Sequence, residues 1–142
     1  MNTMKNQDDS LNHAMIEFYE KLSSWEMAVV KDKGFSLPQV HTVEILGLNG
    51  PMRMKELAQK IGITTGTLTV QVDKMVEAGL VVRTPHANDR RSILVELTDS
   101  GREMFEEHDK LHMQLTQDLT AKFDDKERAQ LLDFFERINL EF

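Results

Sequence analysis

The residues from Met52 to Gly101 constrain the fold more than any other part of the chain. In order, they read MRMKELAQKIGI, TTGTLTVQVDKMVEAG, LVVRT, PHANDRR, SILVEL and TDSG. The first two pieces have the apolar spacing of helices, and the β-rich runs on either side of PHANDRR are typical of hairpin strands. The sequence therefore predicts a helix, a tight turn, a second helix, a strand, a basic loop, a strand and the start of another helix.

Local signals place the two central helices at about Met54–Ile61 and Thr65–Ala78. Thr64 precedes the second helix as an N-cap, Gly79 follows it as a C-terminal stop, and Gly62 lies in the turn between the helices. Apolar residues at helical spacing form the predicted core of the pair: Leu57, Ala58, Ile61, Ile63, Leu68, Val72 and Met75. With a hairpin directly after them, two such helices indicate a winged helix-turn-helix.

Further helices are predicted on both sides of this unit. A helix over residues 11–32 has one apolar stripe, and a second one starts at the Ser36 cap and ends near Leu48. After the hairpin, a helix runs from about residue 99 to 122, and a last helix starts near Asp124. The predicted fold class is therefore mainly α with a small β-hairpin wing.

The charge of the chain is divided unevenly. The formal net charge of its 142 residues is −7, yet residues 51–102 hold eight Lys/Arg against six Asp/Glu. Because the distribution of charge matters more than its total for binding nucleic acid, the acidic total does not argue against a DNA-binding protein. No apolar run approaches the roughly 20 residues of a membrane span, and the N-terminus lacks the features of a signal peptide. We expect a cytoplasmic protein without a membrane partner and, since cysteine is absent, without disulfides or thiolate metal sites.

The outer face of the second central helix carries the candidate contacts to duplex DNA. Short hydroxyl side chains at a helix start can hydrogen-bond phosphate or base edges, and Gln71 can read adenine. The candidates on this helix are Thr64, Thr65, Gly66, Thr67, Thr69, Val70, Gln71 and Lys74. An amphipathic helix with a merely solvated outer face is the alternative.

The loop between the predicted strands adds Asp89, Arg90 and Arg91 to the candidate DNA-binding residues. Two adjacent arginines on a protruding loop can enter a narrow minor groove, and the aspartate can fix the direction of one guanidinium. A surface loop with a chance ion pair is the alternative.

These residues resemble the MarR family of bacterial transcription regulators. The run DRR, followed by LTDSG at residues 97–101, is similar to the family pattern D-x-R-x(5)-L-T-x-x-G, and ELA at 56–58 and GIT at 62–64 are similar upstream. The resemblance implies a homodimer in which each subunit places the helix Thr65–Ala78 in a major groove. It also implies that Arg91 enters the adjacent minor groove and that Asp89 orients it.

The same resemblance implies the organisation of the chain as one intertwined domain. Residues 1–35 would form an N-terminal arm and dimerisation helix, residues 36–101 the winged helix-turn-helix, and residues 102–142 the C-terminal dimerisation helices. Apolar surface on the end helices independently favours dimerisation, at Trp25, Phe123, Phe134 and Phe135. A homodimer, acting as a repressor, would bind an inverted repeat with half-site centres about 10 base pairs apart.

A metal or a small molecule is the expected effector. His108 and His112 share one helix face at a spacing that can clamp a transition metal. Resemblance to the zinc-responsive repressors of the family implies a tetrahedral zinc site of Glu26, His41, His108 and His112, although the cysteine of their second site is absent. Resemblance to the fatty-acid-synthesis repressors instead implies an acyl chain carried on a protein as the signal. Histidines that hydrogen-bond at a helix junction are the alternative without a ligand.

Two other classes of protein compete with the DNA-binding regulator. A zinc-dependent hydrolase needs H-E-x-x-H, whereas this chain has HDKLH at residues 108–112, and no phosphate-binding glycine loop or nucleophile elbow is present. We therefore predict that the chain is not an enzyme. A winged-helix module that binds only proteins would lack the salt-dependent affinity for duplex DNA that a regulator has.

Overall fold

The computed structural model describes residues 2–142, with side chains for all of these except Asn2 and Arg90. The chain divides into two compact units, residues 1–102 and residues 103–142. The elements of the first unit are α1 (Asn2–Lys31), α2 (Leu37–Asn49), β1 (Met52–Arg53), α3 (Met54–Ile61), α4 (Thr65–Glu77), β2 (Val81–His86) and β3 (Asp89–Leu97). Helix α5 (Asp99–Leu119) begins in the first unit and continues in the second, which ends with α6 (Asp125–Asn139).

Side-chain caps fix where the helices of the first unit begin. Ser36 Oγ accepts from the backbone N–H of Gln39, and Gln39 Oε1 accepts from the backbone N–H of Ser36, so the predicted capping box of α2 is confirmed. Thr64 caps α4 by accepting from the backbone N–H of Thr67 at 3.2 Å. Helix α3 ends at Gly62, whose φ of 82° lies in the left-handed region that favours glycine.

The hairpin is longer than the sequence predicts, and it belongs to a three-stranded antiparallel sheet of order β1-β3-β2. The predicted strands stop at Thr84 and resume at Ser92, whereas the observed ones continue to His86 and start at Asp89. A hairpin exposed on both faces needs no apolar alternation, so polar residues extend it without a sequence signal. The two-residue strand β1, which pairs Met52 with Val95, is too short to have a pattern.

The core of the first unit lies between α2, α3, α4 and the sheet. Of the predicted core of the helix pair, Leu57, Ala58, Leu68, Val72 and Met75 are buried, and Ile61 and Ile63 are half-buried. Val43 and Leu46 of α2 and Val95 of β3 complete this core. Helix α4 is thus held along its inner side, which leaves its outer side for other contacts.

Helix α1 starts nine residues earlier than predicted, at Asn2 rather than residue 11. Residues 2–10 contain neither glycine nor proline, so nothing in this polar segment stops the helix from extending. The predicted apolar stripe of α1 is exposed at Leu11, Met15 and Phe18.

The second unit consists of the continuation of α5, a turn and α6. Asp124 forms a capping box with Glu127 at the start of α6, as a helix start near Asp124 predicts, and α5 ends at Leu119 instead of about residue 122. Within residues 103–142, Met104 and His108 are buried, and α6 contains no buried residue. Over the described residues, the structure contains no helix with the length and apolarity that crossing a membrane requires.

Candidate nucleic-acid interface

The outer side of α4 is open to solvent over the residues that the sequence nominates for DNA contact. Its inner side is buried at Leu68, Val72 and Met75, which fixes which side faces outward. The exposed candidates are Thr64, Thr65, Gly66, Thr67, Thr69, Val70 and Lys74. Because a major groove admits one α-helix, an exposed helix face of this length is the element that such a groove can receive.

Three threonine hydroxyls at the cap and in the first half of α4 form local hydrogen bonds. Thr64 Oγ1 donates to Thr67 Oγ1 at 3.0 Å, and Thr69 Oγ1 donates to the carbonyl of Thr65 at 2.8 Å. A hydroxyl rotates about its C–O bond, so each can turn its hydrogen toward a phosphate when one is present. Their predicted role as DNA contacts stays a prediction.

Gln71 behaves differently from the other candidates on α4, because its side chain is half-buried against α2. Its amide nitrogen Nε2 donates to the carbonyl of Pro38 at 2.8 Å and to Oγ1 of Thr42 at 2.7 Å. Its predicted contact to adenine would require the same amide hydrogens.

Asp89 shapes the turn of the hairpin. One carboxylate oxygen accepts from the backbone N–H of Arg91 at 3.0 Å, and the other accepts from the Ser92 hydroxyl at 3.2 Å. The N–H of Arg91 is the main cause that lowers the pKa of Asp89 below its ordinary value. The Arg91 side chain is exposed, and no described side chain forms an ion pair with its guanidinium, so the orientation of Arg91 by Asp89 stays a prediction. The predicted DNA contact of Arg90 lies outside the described side chains.

Two structural features near these contacts were not singled out as site residues in the sequence. Arg83 of β2 forms an ion pair with Asp73 of α4, which ties the hairpin to the helix that carries the candidate contacts. Gly101 packs so close to Leu80, the residue before β2, that an added Cβ would overlap the Leu80 carbonyl oxygen. Thr98 caps α5 by accepting from the N–H of Gly101, and this supplies a physical reason for both residues of the L-T-x-x-G pattern.

The predicted zinc ligands fall into two pairs, one in each unit. In the first unit, Nε2 of His41 lies 3.4 Å from a carboxylate oxygen of Glu26. In the second unit, Nε2 of His108 lies 3.1 Å from Nε2 of His112. The two histidines of the second unit form a hydrogen bond, as the alternative without a ligand predicts. Both spacings are also close to the about 3.3 Å that separates two ligand atoms in a tetrahedron with zinc–nitrogen bonds of 2.0–2.1 Å. Glu44, which the sequence did not nominate, places a carboxylate oxygen within 4.8 Å of that of Glu26. The four-residue zinc site stays a prediction.

An apolar cavity of about 330 Å³ lies where α1 meets α2 in the first unit. Its lining residues are Met27, Ala28, Val30, Lys31, Phe35 and Leu37. Met27 is one of the exposed residues of this lining.

A packed helix pair with an exposed second helix, followed by a projecting antiparallel hairpin, defines the class of winged helix-turn-helix proteins. Comparison with known proteins shows which family part of the chain is similar to. Residues 35–93 match the model of the MarR family. Over 134 residues, the chain is 25% identical to the HTH-type transcriptional regulator YcgE of Bacillus subtilis, covering 92% of this chain and 87% of that protein. Two other Bacillus subtilis regulators are matched over 61% and 59% of their lengths.

Solved structures show the same fold. A MarR family protein from Bacillus stearothermophilus superposes with a TM-score of 0.87 at 19% identity, covering 96% of both chains. Streptococcus pneumoniae FabT in complex with DNA superposes with a TM-score of 0.68 at 19% identity, covering 87% of this chain and 94% of FabT. Residues 35–93 are therefore similar to the MarR family, and the relatives that the chain matches are helix-turn-helix transcriptional regulators, as the resemblance implies.

Proposed function

We propose that the chain is a repressor that binds an inverted-repeat operator in double-stranded DNA as a homodimer. In each subunit, α4 occupies a major groove and the β2–β3 hairpin reaches the adjacent minor groove. The observation that carries this proposal is the exposed outer side of α4 within one unit that also presents the exposed Arg91 on its hairpin. The cytoplasm is the compartment in which a bacterial regulator meets its DNA, and we place the protein there.

Electrostatics support the contact to DNA. Lys74 near the end of α4 and Arg91 on the hairpin are exposed cations in the part of the chain where Lys/Arg outnumber Asp/Glu. The first-turn N–H groups of α4 add a partial positive charge at Thr65–Thr67. Phosphate contacts of this kind position a protein on the duplex, while side chains in the groove provide the sequence specificity.

The exposed apolar side chains of the helices support the homodimer. Helix α6 buries none of its residues, and large apolar side chains of α6 and the following residues are exposed: Leu132, Phe134, Phe135, Ile138, Leu140 and Phe142. A symmetric dimer covers such faces with identical ones, and its two-fold axis matches that of an inverted repeat. FabT, a protein with the same fold, has been solved in complex with DNA.

The test of DNA binding starts from genomic footprinting, which supplies the operator. Fluorescence anisotropy of a labelled operator duplex is then measured over a series of salt concentrations. For 6–10 phosphate contacts, we expect the affinity to fall by about 10³–10⁵ between 50 and 200 mM salt. A winged-helix module that binds only proteins would show no footprint and no salt-dependent affinity for any duplex.

We further propose that an effector modulates binding, and that zinc is that effector, in preference to a small molecule or an acyl chain carried on a protein. The His108–His112 spacing supports this choice, because the 3.1 Å between the two hydrogen-bonded Nε2 atoms is also close to the separation of two ligands of one ion. Zinc would supply a tetrahedral link among its ligands, and the histidines would have to bind it as neutral imidazoles.

Elemental analysis with a calorimetric zinc titration tests this second part. We expect stoichiometric zinc in the wild-type protein and a loss of high-affinity binding in the His108→Ala/His112→Ala double variant. The control is His13→Ala, which removes an exposed histidine of α1. Absence of stoichiometric zinc, or equal zinc affinity in the double variant, would leave the DNA-binding proposal intact and remove zinc as the effector.

A further inference from the structure

We propose that Gln71 positions α4 for DNA binding and does not read a base. This inference rests on the proposed function, because it concerns how α4 reaches the major groove. Gln71 lies in the middle of α4, one residue beyond the exposed Val70, yet its side chain is directed to α2 rather than outward.

The identity of the amide group that faces α2 follows from its partners. The carbonyl oxygen of Pro38 can only accept a hydrogen bond, so the Gln71 atom 2.8 Å from it must be the nitrogen. The Thr42 hydroxyl donates to the same Pro38 carbonyl at 2.9 Å, which leaves its oxygen to accept from Gln71 at 2.7 Å. Three polar groups therefore satisfy one another at the contact between α2 and α4.

The burial of Thr42 makes this contact specific. Thr42 is 0% exposed, so its hydroxyl oxygen has no water to replace the amide of Gln71. Losing this hydrogen bond in a buried position is unfavourable even though Thr42 still donates to Pro38, which favours the arrangement of α4 in which Gln71 stays in place. Since Pro38 lies in the first turn of α2, the amide ties the middle of α4 to the capped start of its neighbour.

A base-reading glutamine needs a free amide. Reading adenine uses an amide N–H to N7 and the amide oxygen to N6. In Gln71, the nitrogen already makes two hydrogen bonds inside the fold. Turning it toward a base would break both and leave the buried Thr42 hydroxyl oxygen without a donor, although the hydroxyl would keep its own bond to Pro38. Sequence specificity along α4 is therefore left to exposed residues such as Thr65, Thr67 and Val70.

The Asp73–Arg83 ion pair attaches α4 to a second neighbour, the hairpin. Two residues apart on α4, Gln71 and Asp73 thus tie it to α2 and to β2. Together they would fix the direction of the recognition helix relative to the wing, so a change at Gln71 would misplace all contacts of α4 at once.

The test uses in vitro selection of binding sequences with the full chain, followed by affinity measurements on the selected duplex. The variants are Gln71→Met, which keeps the length of the side chain without its amide, and Thr42→Val, which removes the partner hydroxyl. Gln117→Leu, an exposed glutamine of α5, is the control. Active protein is counted by stoichiometric titration, so that a loss of folded protein is not mistaken for a loss of affinity.

We expect both variants to select the wild-type sequence and to bind it about tenfold more weakly, a loss of the size that one or two hydrogen bonds give. The double variant should lose less than the sum of the two single losses, because both substitutions break the Gln71–Thr42 hydrogen bond. A changed base preference at one position in Gln71→Met would overturn the inference by showing that Gln71 reads a base. Unchanged affinity per active molecule would overturn it by showing a purely structural contact. A wild-type chain that selects no sequence would instead contradict the proposed function itself.

Discussion

The two units of the chain differ most in how they bury their apolar side chains. In the first unit, α2, α3, α4 and the sheet share a core of fully buried residues such as Val43, Leu57 and Met75. In residues 103–142, two residues are buried, and α6 leaves Phe134 and Phe135 exposed. Apart from α1, whose apolar stripe is exposed, the first unit has the core of a self-sufficient fold, whereas the second exposes apolar surface of the kind that a partner would cover.

Because of this difference, substitutions in the two units should affect the protein in different ways. Substitutions in the core of the first unit should act on contacts within one chain, such as the close approach of Gly101 to Leu80. Substitutions on α6 should act through a second copy of the chain and therefore depend on protein concentration.

The largest expected effect is on dimerisation. Phe135→Asp places a charge on the exposed apolar face of α6, and a symmetric interface contains the substitution twice. Since burying one Phe side chain contributes about 1.5–3 kcal/mol, we expect the dimer dissociation constant to rise at least roughly a hundredfold. Analytical ultracentrifugation measures it, and Lys126→Ala, on the opposite side of α6, is the control. A dimer of unchanged strength would place the interface elsewhere.

Replacing Arg91 by Ala tests DNA binding by the first unit, because it removes an exposed cation and leaves the buried core unchanged. We expect the affinity for the operator to fall by about 1–3 kcal/mol while the melting temperature stays constant. Lys122→Ala removes an equal charge in the second unit and serves as the control. Equal losses in both variants, measured by anisotropy at fixed salt, would show a general effect of charge and no specific role for the hairpin.

Gly101→Ala should destabilise the first unit without altering any DNA contact directly. The added Cβ would overlap the Leu80 carbonyl, and such overpacking costs about 1–3 kcal/mol of unfolding free energy. Gly66→Ala is the matched control, because its Cβ would meet nothing closer than 4.0 Å within a helix. The free energies of unfolding of the two variants are measured in urea. Equal values would mean that α5 can move away from Leu80 at no cost and would contradict the predicted overlap.

The smallest expected effect is the pH dependence of the hairpin turn. The pKa of Asp89 is lowered in the folded protein, so its stabilising contribution is complete above the ordinary pKa of an aspartate and is lost as pH falls through the lowered value. Hydrogen exchange at the Arg91 amide should therefore lose protection only in acid. In Asp89→Asn, which cannot ionise, this acid-dependent change should disappear. A wild-type amide with equal protection at all pH values would contradict the contact.

The elements of the first unit could be largely predicted from the sequence because their signals are local. Caps at Ser36 and Thr64 and glycines at Gly62 and Gly79 act within a few residues, so α3 is predicted with its observed bounds and α4 to within one residue. The predicted start of α1 was wrong, and the predicted strands of the hairpin were too short. In both places, polar residues without periodicity extend the element.

The candidate site was less predictable, because its side chains depend on partners far along the chain. Gln71 and Thr42 are 29 residues apart, and no local pattern shows that one amide will satisfy the other's hydroxyl. The same holds for Arg83 and Asp73, whose charges were counted in the sequence without their pairing. Composition could show that the region is basic, but only the fold shows which cations remain exposed.

The central claim is that two copies of this chain bind one operator duplex, each through α4 and its hairpin. Sedimentation equilibrium of the purified protein with a footprinted operator fragment measures the stoichiometry directly. We expect two chains per duplex in low salt and dissociation of the complex as salt rises. A complex with one chain per duplex, or no complex with any footprinted fragment, would contradict the claim.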